Sequence, residues 1–214
     1  MTDFTRARAH MINSQLQTSG VTDKRILARM GAVQREMFVP ESRRATAYID
    51  SVQWLEKVGS GRFIAPPATF AKLLQLAEIT VDDTVLDVGA GTGYSTAVIA
   101  GLAAGVAGFE PDAELAATAR QNLERLGLSN AKIVPEIGKN LYDVVFVEGA
   151  LHTVPDQYFA ALKDGGRLIA LVWTGGVSVA KVFVKTGKGI AARSEFNAWL
   201  PPMLDARPVE EFVF

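Results

Sequence analysis

Apolar positions along the first fifty residues recur at roughly helical spacing. Met11, Leu16, Val21, Ile26, Leu27 and Met30 mark this spacing, which is broken at Ser19-Gly20. Thr22 or Asp23 is a candidate N-cap for a helix over Lys24 to Val33, and Phe38-Val39-Pro40 breaks the pattern. Residues 58 to 67 (VGSGRFIAPP) read as a loop. Helical spacing resumes over Thr69 to Ala77, with Phe70, Leu73, Leu74 and Ala77 on one face.

From Asp83 the texture changes to short apolar runs alternating with helical stretches. Strands are expected at Thr84–Val88, Val106–Glu110, Ala131–Val134, Asp143–Val147 and Arg167–Val172. Helices are expected at Tyr94–Ala104, at Asp112–Leu126 (capped by Asp112, ended by Gly127) and at Gln157–Leu162. Alternation of this kind implies a mostly parallel, doubly wound sheet of Rossmann-like α/β type. Beyond Trp173, Ser178–Lys185 and Ile190–Phe196 alternate around a turn at Gly187–Gly189, which predicts an appended antiparallel hairpin. Glu211–Phe214 is a candidate edge strand. The chain is therefore expected to form one domain: a helical N-terminal region and loop to residue 68, an α/β core over 69–172 and antiparallel strands over 173–214.

Composition narrows the chemistry. The 214 residues suit one α/β domain, and 22 basic against 23 acidic residues give no electrostatic case for a nucleic-acid or anionic-membrane partner. There is no cysteine, which excludes disulfides, thiolate catalysis and Cys-based metal sites. With two histidines, His10 and His152, a His-rich metal centre is not expected. The first residues are polar and hold no signal-peptide core, and no run approaches the roughly 18 apolar residues of a spanning helix. The expected location is the cytoplasm.

Candidate chemistry sits in Val85-Leu-Asp-Val-Gly-Ala-Gly-Thr-Gly-Tyr94, where the first core strand turns into its helix. In an open α/β sheet that turn is the ligand crevice. Gly89, Gly91 and Gly93 let the backbone turn sharply and approach a ligand, and the following helix N-terminus favours negative groups. A nicotinamide fingerprint would need G-x-G-x-x-G, but Tyr94 stands where its third glycine belongs. Asp87, two residues before the first glycine, suits a cation and would repel a diphosphate. Glu110 can accept the hydroxyls of a ribose, a need common to S-adenosylmethionine (SAM) and NAD, so it marks nucleotide binding without choosing between them. The candidate cofactor-binding residues are Asp87, Gly89, Ala90, Gly91, Thr92, Gly93, Tyr94, Glu110 and Pro111.

The segment LDVGAGTGYSTAVIA resembles the SAM motif of the protein-L-isoaspartate O-methyltransferase family. Met11–Leu16 and Gly20–Leu27 are similar to that family's N-terminal helices, Arg35-Glu-Met-Phe-Val-Pro40 to its R-x-x-F-V-P signature, and Tyr48-Ile-Asp50 with Gly59–Pro67 to its acceptor loop. Tyr142–Val147, Val154-Pro155 and Leu162–Leu168 continue the likeness, which spans roughly residues 8 to 172. It implies SAM as cofactor, a Rossmann-like methyltransferase fold, and methylation of the α-carboxylate of isoaspartyl residues in damaged proteins, opening repair through a succinimide. A carboxylate is already ionised at neutral pH and needs no general base, so scarce histidine is no obstacle.

The sequence departs from the family in the acceptor loop, where the family pattern is G-x-x-x-T-I-S-x-P. Phe63 stands at its threonine and Ala65 at its serine. Loss of one hydrogen bond to a charged group costs roughly 1.5–3 kcal/mol. Ser60, Arg62 or loop N–H groups are candidate replacements. The favoured readings are nevertheless an exposed arginine for Arg62 and a turn residue for Ser60, and Asp50 is expected to shape the loop. After the third strand the loop is short, and Glu136 is the candidate acid near adenine. Glu148 either contacts the SAM ammonium or the acceptor, or is a solvated strand-end residue. His152 is expected at the surface, and Trp54, Trp173 and Trp199 in core or groove packing. Two rival readings remain: a methyltransferase with another acceptor, motivated by the apolar Phe63 and Ala65, and a non-catalytic SAM-binding or interaction protein.

Overall fold

The structure, a computed structural model, describes residues 3–56, 61–139 and 141–203. Three carboxylates start three of its helices. Asp3 caps α1 (Phe4–Met11), Asp23 caps α2 (Lys24–Ala32) and Asp112 caps α5 (Ala113–Arg125), each accepting a backbone N–H from the first turn. Between them lie α3 (Pro67–Ala77) and α4 (Tyr94–Ile99), and α6 (Asp156–Ala161) follows. The expected helix over Tyr94–Ala104 stops at Ile99, because turns over 100–104 carry the chain directly into the next strand. The N-terminal helix runs on through a π turn over Ile12–Leu16 and ends at Gly20, whose φ of 90° needs glycine.

Seven strands form the main sheet: β3 (Thr84–Val88), β4 (Gly105–Phe109), β5 (Ala131–Val134), β6 (Tyr142–Leu151), β7 (Leu162–Trp173), β8 (Ser178–Thr186) and β9 (Gly189–Ala198). Their order is β5-β4-β3-β6-β7-β8-β9, parallel from β5 to β7 and antiparallel thereafter. The doubly wound sheet with an antiparallel C-terminal edge is thus present. Two of its strands outrun their apolar cores: β6 extends four residues past Val147, and β7 begins five before Arg167. The candidate edge strand Glu211–Phe214 lies outside the described residues. Among these residues no helix is long and apolar enough to cross a membrane.

The two faces of the sheet are covered unequally. Val85, Val106, Val144, Phe146 and Ile169 point to a large core shared with helices α1 to α5. Leu86, Val88, Ala107, Val145, Val147, Leu168 and Ala170 point the other way, onto α6 and Met203. The described residues of the short connection after β5 form no helix, and the C-terminal segment does part of that covering. Leu200–Met203 crosses the sheet end beside β6. The Ala150 N–H donates to the Pro201 carbonyl at 3.1 Å, and the Met203 N–H donates to the Ala150 carbonyl at 3.0 Å.

A separate two-stranded ribbon, β1 (Gln53–Trp54) against β2 (Phe63–Ile64), carries the loop that precedes α3. It is fixed from below by Arg35, which is fully buried. Arg35 Nε donates to the Ala47 carbonyl at 2.6 Å and Nη2 to the Ala65 carbonyl at 2.7 Å. Its guanidinium lies 4.8 Å from the centre of the Tyr94 ring.

Candidate active site

The glycine turn follows β3 at the carboxyl end of the sheet. Gly89, Gly91 and Gly93 have φ of 85°, 54° and 92°, a backbone region that side chains disfavour. Close approach also demands glycine. A Cβ on Gly89 would stand 2.8 Å from Cε of Met203 and 3.5 Å from Cβ of Glu148, and one on Gly91 would stand 2.8 Å from Cδ1 of Leu55. Thr92 Oγ1 donates to the Phe38 carbonyl at 2.6 Å, and the Thr92 carbonyl accepts from Asn122 Nδ2 at 3.0 Å. Ala90 is buried and Pro111 exposed.

Acids flank the turn on both sides. Glu110, just past β4, is fully engaged. Its Oε2 accepts the Gly91 N–H at 2.9 Å, and its Oε1 accepts the Asp112 N–H at 3.0 Å and lies 3.1 Å from Arg62 Nε. Burial still lifts its carboxyl above the ordinary range, against the pull of these donors. Asp87 Oδ2 accepts Ser95 Oγ at 2.7 Å and Thr96 Oγ1 at 2.6 Å from the first turn of α4. Its Oδ1 is buried and has no hydrogen-bond partner among the described residues, and the same holds for Glu148 Oε1. Burial raises both carboxyls; the Asp87 charge lifts Glu148 further, well above the usual value, whereas Glu148 draws Asp87 down.

Glu148 is therefore no solvated strand-end residue. It lies inside β6, where four steps from Phe146 to Ala150 match two on β7 from Ile169 to Leu171. Such an irregularity re-aims side chains, and Glu148 lines the crevice with Gly61, Arg62, Phe63, Gly89, Gly91 and Met203. Met203 and Leu55 nearly fill that crevice, leaving about 10 Å³, which is room for about one water.

Other expectations are corrected. The Tyr94 side chain faces the core rather than the crevice, between Phe38 at 5.6 Å and Phe70 at 5.7 Å, because the first position of α4 points beneath the turn. Arg62 is not an exposed arginine: its side chain is 11% exposed and paired with Glu110. Glu136 is exposed in the bend after β5, so the structure does not bring it to the turn. Ala65 is buried, and Phe63 packs edge-on against Trp54 with ring centres 5.6 Å apart. Neither presents a broad apolar face to an acceptor. Asp50 accepts the Ala68 N–H at 3.0 Å, which shapes the start of α3 as expected. Ser60 lies outside the described residues. His152, Trp173 and Trp199 line a different hollow with Leu200 and Pro202, so the two tryptophans take the groove alternative of their expectation and are exposed there. Arg35, Leu55 and Met203 enter the site without having been singled out as site residues. Arg35 alone had a local signal, in its R-x-x-F-V-P setting.

A parallel sheet ending in D-x-G-x-G-x-G, with an acid closing the next strand, defines a Rossmann-like methyltransferase fold. Comparison with known proteins makes the assignment narrower. The family model "Protein-L-isoaspartate(D-aspartate) O-methyltransferase" matches residues 6–200. A protein-L-isoaspartate O-methyltransferase of Koribacter versatilis is 37% identical over 175 residues, covering 79% of this chain and 78% of that protein. One of a Synechococcus strain is 32% identical over 214 residues, covering 94% and 86%. A solved protein-L-isoaspartate O-methyltransferase superposes with a TM-score of 0.77 at 25% identity, over 91% of this chain and 65% of its own. A Plasmodium falciparum structure in complex with S-adenosyl-L-homocysteine, 20% identical, shares the fold with a TM-score of 0.76 over 95% and 99%. The chain belongs to the protein-L-isoaspartate O-methyltransferase family.

Proposed function

We propose that the protein is a SAM-dependent carboxyl methyltransferase that esterifies the free α-carboxylate of isoaspartyl residues in damaged proteins. The observation that carries this reading is the glycine turn held between Glu110 on one side and the Asp87–Glu148 acids on the other. Family membership supplies the acceptor.

The donor set fits SAM. The ligand's ribose hydroxyls match Glu110, its ammonium matches an acid end with two unpartnered carboxylate oxygens, and its close approach matches glycines that tolerate no Cβ. The space is shut by Met203 and Leu55, whose flexible side chains can withdraw. When bound, SAM supplies a methyl group activated on a sulfonium, which an ionised carboxylate accepts without a base.

The protein's own residues orient and enclose. Glu110 and the Asp87 side hold the cofactor's two ends. Arg35 fixes the acceptor loop by the Ala65 carbonyl, so the loop's height over the crevice does not depend on a serine hydroxyl. Arg62 stands at the crevice, and its guanidinium can meet a carboxylate through two parallel bonds. Positioning and water exclusion are the catalytic contribution of such a site.

The test is methyl transfer from labelled SAM to a peptide carrying one isoaspartate, beside the same peptide with aspartate. Selective labelling of the isoaspartyl peptide is expected. Labelling of neither, with SAM binding measured in the same sample, removes the isoaspartyl acceptor.

A further inference from the structure

Two buried carboxyl groups on neighbouring strands are unusual, because two adjacent carboxylates cannot both be charged cheaply in a dry site. Asp87 is the penultimate residue of β3, and β6 runs beside it in parallel, pairing Asp87 with Phe146 and Val88 with Val147. One residue further on, Glu148 stands beside Gly89, where a Cβ on the glycine would lie 3.5 Å from the Glu148 Cβ. Since Gly89 has no side chain to part the two acids, they lie close enough that the Asp87 charge raises the Glu148 carboxyl. Two buried carboxyl groups in such proximity hold one proton between them more cheaply than two charges. Among the described residues, each has one buried oxygen without a donor.

The surroundings offset the pair's charge only in part: Ser95 and Arg35 draw the Glu148 carboxyl down, less than burial and Asp87 raise it. Ser95 and Thr96 donate to Asp87 from α4. Glu110 adds negative charge from the end of β4. Of the nearby cations, Arg35 donates to the carbonyls of Ala47 and Ala65, and Arg62 pairs with Glu110. The buried Tyr94 hydroxyl lies near enough for the Glu148 charge to raise its own pKa.

We propose that Glu148 and Asp87 form a proton-sharing acid pair that takes up the cofactor's α-ammonium in exchange for the shared proton. The exchange conserves charge. The pair with its proton carries one negative charge; without the proton, but with an ammonium bound, it again carries one. The proton passes to solvent, and no bond other than the O–H and the ammonium's hydrogen bonds changes. Cofactor uptake is then coupled to proton release and strengthens as pH rises through the neutral range. Glu148 supplies this coupling, since the Asp87 charge raises the Glu148 carboxyl while Glu148 draws that of Asp87 down.

This inference rests on the proposed SAM site, and the experiment separates the two. S-adenosylhomocysteine, which carries the ammonium but no transferable methyl, is titrated calorimetrically into the full chain in two buffers of equal pH and different ionisation enthalpy. About one proton released per ligand is expected near neutral pH. Glu148→Gln is expected to bring that number close to zero and to weaken binding at pH 8 by about tenfold. Methylthioadenosine, which lacks the ammonium, should bind without releasing a proton. Binding of S-adenosylhomocysteine to the unaltered chain with no proton released overturns the acid pair, whether or not the variant folds. Equal release by Glu148→Gln overturns it as well. Absence of any binding, even to Met203→Gly, takes down the SAM site itself and the pair with it.

Discussion

The two ends of the crevice hold acids of the same kind in opposite conditions. At one end Glu110 has a donor for each oxygen: two backbone N–H groups and the Arg62 guanidinium. At the other, Asp87 and Glu148 each keep an oxygen buried and unmatched. A satisfied carboxylate stabilises the fold, whereas an unsatisfied one strains it and waits for a cation. One end is built as structure that a ligand can borrow, and the other is built for a ligand.

The same conservative change should therefore act in opposite directions at the two ends. Glu110→Gln sets an NH₂ group against the N–H donors and Arg62, and is expected to destabilise the fold by about 2–3 kcal/mol. Denaturant unfolding checks it, and an unchanged midpoint would erase the contrast between the two ends. Glu148→Gln removes a desolvated ionisable group and is expected to stabilise the ligand-free protein by about 1 kcal/mol at pH 8.

pH tests the pair itself. Burial raises Asp87, Glu148 and Glu110 above their unfolded values, and the Asp87 charge raises Glu148 further. A raised acid favours the folded state fully below the ordinary carboxyl range, and that contribution is lost as pH rises through the folded value. Ligand-free stability is thus expected to fall from about pH 5 to about pH 8 in the unaltered chain and to fall less in Glu148→Gln. A parallel decline in both would place the sensitive group elsewhere. The smallest expected effect on the site is that of Met203→Gly. It removes the side chain lying over Gly89 and should improve S-adenosylhomocysteine affinity several-fold, while lost core packing lowers the unfolding midpoint.

Legibility follows the range of the interactions. The turn and its two acids, Asp87 and Glu110, were readable because strand, glycines and helix lie within one βαβ unit and each residue's task is local. The caps Asp23 and Asp112 and the hairpin over β8 and β9 were readable for the same reason. Tyr94 misled because adjacency to the turn does not give the direction in which a helix's first residue points. Glu148 was ambiguous because the apolar run ends at Val147 while the strand continues through an irregularity that periodicity does not encode. Arg62 meets Glu110, and Met203 meets Gly89, only through the fold. No local pattern announces either contact, and Met203 follows two prolines that read as the end of structure.

The bonds from Arg35 to Ala65, and from Thr92 to Phe38, have a consequence for anyone who would cut this chain. The α/β core over 69–172 has the outline of a portable cassette, but it is not one. Removing the first sixty-odd residues would leave the Tyr94 ring without Phe38 and Arg35, and the glycine turn without its tether. The helical N-terminal region is better regarded as the keystone that locks the acceptor loop and the cofactor turn to one another. A transplant would have to carry all three pieces.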